Sequence, residues 1–167
     1  MPELQQPIFQ WPSIHVLLLS VARLGLAAAL GALLGYQRER VHSTAGLRTH
    51  ILVCLGSAFF VLASVEAGQT SADTSRVIQG IVTGVGFLGA GTILKVSDRL
   101  EVHGLTTAAS IWLTAGIGVG AGLGHLWLPA LGGAIGWLVL GPIGNLEKSR
   151  SGNSPKPRIP GETPNGR

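Results

Sequence analysis

Between Ile14 and Ile143 apolar residues run almost without interruption, and the few polar positions gather in short clusters. The apolar runs cover about 14–36, 47–65, 77–94, 104–124 and 126–144. Each is close to the roughly 20 residues a helix needs to cross a bilayer core. A helix that is apolar on every face belongs in lipid or in a core, not at a water surface. The pattern predicts an all-α fold, a polytopic transmembrane helix bundle with five spans. Residues 1–13 form a lead containing Pro2, Pro7 and Pro12, and residues 14–144 form the membrane domain. The Pro-, Gly-, Ser- and Asn-rich stretch 145–167 cannot bury a core and is expected to be a disordered cytoplasmic tail.

Charge placement orients the bundle. Lys and Arg favour the cytoplasmic side of membrane proteins. Arg38, Arg40 and Arg48 flank the first loop, Lys95 and Arg99 lie in the third, and Lys148, Arg150, Lys156, Arg158 and Arg167 follow the last span. The opposite side holds only Arg76. This alternation predicts the N-terminus outside and the C-terminus inside, and it requires an odd number of spans. The lead has Glu3 and no basic residue before the first apolar run, so a cleavable signal peptide is not expected.

Composition sharpens the picture. Only 12% of the 167 residues are charged, about half the usual share for soluble domains. The 25 glycines suit close approach of helix backbones where lipid removes any hydrophobic gain from association. The net charge of +4 does not indicate nucleic-acid binding, because the basic residues sit at span ends and in the tail. Cys54, the single cysteine, rules out an internal disulfide and reads as an apolar filler. Small residues recur every four positions at Ala27, Gly31 and Gly35, at Gly80 and Gly84, at Gly116, Gly120 and Gly124, and at Gly132 and Gly136. Such stripes predict helix–helix contacts, within the chain or with another copy.

Several polar residues are candidates for function. Arg23 lies about nine residues into the first span, roughly 13 Å deep. A charge there must face protein or a wet cavity, as a gating charge or as a structural tie to a carbonyl or carboxylate. Arg38, Glu39 and Arg40 close the first span, and Arg48, Thr49 and His50 enter the second. They read as a basic topology-setting loop, or as polar groups that need partners inside the membrane. Thr106, Thr107 and Ser110 open the fourth span. Their hydroxyls can return bonds to their own helix, bond a neighbouring helix or bond a hydrated ion. Trp112 lies deeper than an interfacial belt usually does. Glu66, Asp73, Asp98 and Glu101 read as solvated loop charges. One Glu and one His make a weak metal set, since Mg²⁺ prefers carboxylate and water oxygens.

Gly84-Val85-Gly86-Phe87-Leu88-Gly89 matches a dinucleotide-binding string, but it lies mid-span with no preceding strand. Close packing, or an unwound helix lining a cavity, accounts for it better. No P-loop, HExxH, CxxC or GxSxG is present, and no acid lies within a span core. An enzyme is therefore not expected, and neither is a cofactor.

Three segments together resemble the MgtC/SapB family of bacterial membrane proteins. They are Gly35–Arg40 continuing to Ala45–His50, then Gly84–Leu94, then Gly104–Ala115. The likeness runs from about Arg23 to Gly124. It implies an inner-membrane protein of low-magnesium adaptation and virulence. It also implies a non-enzymatic regulator of another membrane complex, the ATP synthase among the candidates; the alternative is a transporter or channel for Mg²⁺ or another ion. Implied partners are membrane lipid and a membrane protein or a second copy. The motif positions are Arg23, Arg38, Glu39, Arg48, Thr49, His50, Thr106, Thr107, Ser110 and Trp112, with no roles assigned. Many members carry a cytoplasmic domain after the last span, and this chain has only a short tail there. Gln37 stands where some members have Glu, which weakens a cation site at that loop.

Overall fold

A computed structural model describes residues 11–95 and 102–143. The first ten residues, the loop holding Asp98, Arg99 and Glu101, and the tail 145–167 expected to be disordered lie outside the described residues. The described chain is all-α: α1 (Ile14–Arg40), α2 (Leu47–Glu66), α3 (Ser71–Gly91), α4 (Leu105–Gly122) and α5 (Trp127–Leu138), which ends in a π-turn over Val139–Ile143. Leu94–Lys95 (β1) pairs antiparallel with Val102–His103 (β2), and this two-residue ladder joins α3 to α4.

Helix ends follow local chemistry. Ser13 accepts the Val16 N–H and starts α1. The Thr70 hydroxyl accepts the Asp73 N–H at 3.2 Å and donates to the Asp73 carboxylate at 2.6 Å. This reciprocal cap starts α3 at Ser71, upstream of the apolar run. Gly124, at φ +84°, ends α4. The His125 N–H bonds to Gly120 O and the Gly124 N–H to Ala121 O, the paired closure of a left-handed helix cap. Gly124 is thus a stop signal, and the group it lets approach is the Arg23 guanidinium of α1.

Every helix runs antiparallel to the one before it, as the contacts show. Gly35 of α1 lies against Leu47 of α2, and Gly31 against His50 and Cys54. Ser64 of α2 bonds Thr74 of α3 at 2.9 Å. Gly89 of α3 meets Ala108 of α4, and Gly120 of α4 meets Pro129 of α5. α4 is the hub and touches all four other helices. Ala27, Leu34, Cys54, Ala58, Ile117 and Ala121 form the core of α1, α2 and α4. A smaller cluster of Ala45, Val85, Ile111 and Ala115 holds α3.

Glycine decides the closest approaches. A Cβ at Gly118 would collide with Cys54 O, and one at Gly122 would stand 2.6 Å from Ala58 O. Gly118 and Gly122 are therefore the α4 face that meets α2. A Cβ at Gly80, Gly84 or Gly116 would meet nothing within 4 Å, so contacts among the described residues do not use them.

The outer surface is apolar. Phe87 is 81% exposed, and Leu18, Phe60, Trp112 and Leu128 are also exposed. A soluble monomer does not present large apolar side chains all round, so lipid is the solvent for this surface. By length and composition α1, α2 and α4 are each long and apolar enough to cross a membrane. The α5 stretch to Ile143 is apolar but shorter.

Candidate functional site

The candidates divide between the two ends of the bundle. Arg23 lies at the end where α4 stops. Its Nη1 is 3.5 Å from Gly122 O, and its guanidinium covers Gly124. A cation at a helix C-terminus meets the negative end of the helix dipole. Arg23 thus ties α1 to the Gly122 carbonyl at the end of α4.

A polar network fills the other end, where α1 finishes and α2 and α4 begin. Arg38 reaches it from the last turn of α1 and is only 9% exposed. Its Nη2 donates to Thr107 Oγ1 at 2.7 Å. Ser110 Oγ lies 2.8 Å from Thr107 O and 3.0 Å from His50 Nε2. His50 Nδ1 lies 2.9 Å from Gly46 O. Thr114 Oγ1 donates to Ser110 O at 2.7 Å, one turn deeper. A carbonyl can only accept, so His50 Nδ1 carries a proton. In the neutral ring Nε2 then accepts from the Ser110 hydroxyl. A doubly protonated ring would turn that hydroxyl onto Thr107 O. Ser110 thus has a place in either protonation state of the ring.

Glu39, one residue beyond Arg38, takes a different role. Gly46 offers no side-chain cap to α2, and Glu39 Oε2 accepts the Leu47 N–H at 2.9 Å. A carboxylate from one helix therefore caps the positive end of the next.

The network borders a cleft of about 500 Å³ lined by Arg38, Val41–Thr44 and His103–Thr107. A second opening of about 760 Å³ separates α2 from α3 and is mostly apolar. Arg48 and Thr49 line that groove, with Gly80, Ile81, Gly84 and Phe60. The structure thus brings Arg38, His50, Thr107 and Ser110 together, with Thr106 at the cleft edge. Arg48 and Thr49 face the groove instead, and Trp112 is exposed on the outside of α4. Ser43 and Thr44, not among the sequence candidates, also line the cleft, and the left-handed Gly104, at φ +96°, directs the start of α4. Among the described residues, no group of three or more His, Cys, Asp and Glu side chains is placed to hold a metal ion.

This arrangement defines a helical membrane-protein bundle with a buried Arg–Thr and His–Ser network at one end. The chain belongs to the MgtC family, whose model matches residues 24–149. It is 47% identical over 119 residues to protein SrpB of Synechococcus elongatus, covering 64% of this chain and 65% of that protein. It is 48% identical over 100 residues to protein MgtC of Salmonella typhimurium, covering 59% of this chain and 41% of that one. It is 41% identical over 127 residues to YhiD of Escherichia coli K12, whose name presumes magnesium transport, covering 72% of this chain and 58% of that one. The matched stretch therefore spans about two fifths to two thirds of these relatives. No solved structure matches the chain.

Proposed function

We propose that this chain is a non-enzymatic regulator of another complex in the bacterial inner membrane, serving adaptation to low magnesium. The carrying observation is the contrast between a closed centre and an open side. Gly31, Gly118 and Gly122 bring α1, α2 and α4 to backbone contact, and Leu34 and Ile117 fill the remaining space. α3 instead leaves the groove beside α2 open, with Gly80 and Gly84 free to receive a helix. In this reading the N-terminus lies outside, and the Arg38 end faces the cytoplasm. The partner is a second membrane protein, with the ATP synthase first in line.

Gly84→Leu tests the reading. The space beside Gly84 lets the variant insert and fold, so a loss of co-purifying ATP synthase reports on docking alone. Co-purification at the level of the unmodified chain would refute docking through this groove.

A second reading, ion transport, draws on the presumed activity of YhiD and on the polar cleft. Two features oppose it for cations. Arg38 repels them electrostatically, and Thr114, one turn deeper, is fully buried.

A further inference from the structure

Arg48 stands exposed in the first turn of α2, and no described residue bonds or pairs with it. Its own helix gives it nothing, because a cation at a helix N-terminus meets the positive end of the dipole. Glu39, the acid of the same loop, is engaged with the Leu47 N–H. Arg48 therefore presents an accessible guanidinium that lacks an anion among the described residues.

Arg48 also marks one end of the groove between α2 and α3, and among the described residues lining it Arg48 alone is charged. Leu52, Gly56 and Phe60 follow it at four-residue steps and form one wall. α3 runs the other way, so Leu88 lies at the Arg48 end and Val77 at the Phe60 end. From Arg48 to Phe60 the helix rises about 18 Å. One leaflet of a bilayer core is about 15 Å deep. The groove thus matches the depth of a single leaflet, with its charge at the end of the bundle.

We propose that the groove seats one anionic phospholipid, with an acyl chain between α2 and α3 and the phosphate on Arg48. Cationic mouth and apolar walls lie in the order that an amphiphile with an anionic head requires. In a bilayer an unfilled groove forfeits dispersion contacts along both walls, so a chain fills it. Gly56, Gly80 and Gly84 keep it wide, since a Cβ at any of them meets nothing within 4 Å. At the mouth the planar guanidinium donates to two phosphate oxygens, and Thr49 adds a hydroxyl. A glycerol headgroup suits this mouth better than choline, whose own cation Arg48 repels. A partner helix docking in the same groove must displace the lipid, but the lipid needs no partner to bind.

The test uses the purified full chain in a neutral detergent. Native mass spectrometry follows exchange into equal amounts of phosphatidylglycerol and phosphatidylcholine with the same acyl chains. The expected result is one phosphatidylglycerol per chain, retained over phosphatidylcholine. Arg48→Gln should lower that retention about fivefold, the worth of one basic side chain at a membrane surface. Gly84→Leu fills the groove and should abolish it. Arg40→Gln is the control and should leave it unchanged, since Arg40 stacks on Tyr36 outside the groove. Melting curves establish that each variant is folded. Retention that ignores the headgroup, survives Arg48→Gln or Gly84→Leu, or falls equally with Arg40→Gln overturns the proposal. So does an absence of bound lipid, which leaves the groove to a protein helix alone. No partner protein is present, so the outcome is separate from co-purification of the ATP synthase.

Discussion

Arg38 Nη2 donates to Thr107 Oγ1 across 2.7 Å, joining positions 69 residues apart in the chain. The bond fixes the last turn of α1 to the first turn of α4. It also sets the height at which His50 meets Ser110. Replacing Thr107 by Val keeps the shape of the side chain and removes the acceptor. The guanidinium then loses its one side-chain acceptor among the described residues, which should cost about 1–3 kcal/mol. Thr107→Ser should be nearly silent. Thermal unfolding in detergent checks both, and a Thr107→Val melting curve that overlays the unmodified one would disprove the role of this bond.

Glu39 should act on α2 through charge as well as hydrogen bonding. Glu39→Gln keeps an oxygen for the Leu47 N–H but removes the negative charge from the helix N-terminus. The expected loss is about 0.3–1 kcal/mol, shrinking as salt is added. A loss that does not change with salt would rule out the charge component.

Two glycines of α4 should respond in opposite directions to the same substitution. A Cβ at Gly118 meets Cys54 O and Ser57, while one at Gly116 meets nothing within 4 Å. Gly118→Ala should destabilise by about 1–3 kcal/mol, the usual range for an overpacked core. Gly116→Ala should be neutral, or stabilise by up to about 1 kcal/mol through helix propensity. Comparing the two melting temperatures reads the α2–α4 contact directly, and equal shifts would place that contact on the wrong face.

That contrast also shows what the sequence carries and what it does not. The apolar runs foretold five helices, and Arg38, His50, Thr107 and Ser110 stood out as polar residues at span ends, but their meeting in one network did not. The α4 face was not. Glycine occupies positions 116, 118, 120, 122 and 124, so two rows have four-residue spacing, 116, 120 and 124 with three glycines and 118 and 122 with two. Only the partner helix chooses between them, and α2 chose Gly118 and Gly122. The start of α3 was missed for a local reason: the Thr70 cap extends the helix into polar sequence that hydropathy does not register. Arg48 and His50 look like one motif in sequence. Two residues turn a helix by about 200°, so one reaches the groove and the other the core.

The most direct measurement is flux into liposomes holding the purified chain, with Mg²⁺ and pH indicators inside and an imposed gradient of each ion. The regulator account predicts no flux of either ion above protein-free liposomes, from protein shown to be folded and inserted. Flux of Mg²⁺ or protons that Arg38→Gln or Arg48→Ala alters would contradict it and make the polar end of the bundle a gate.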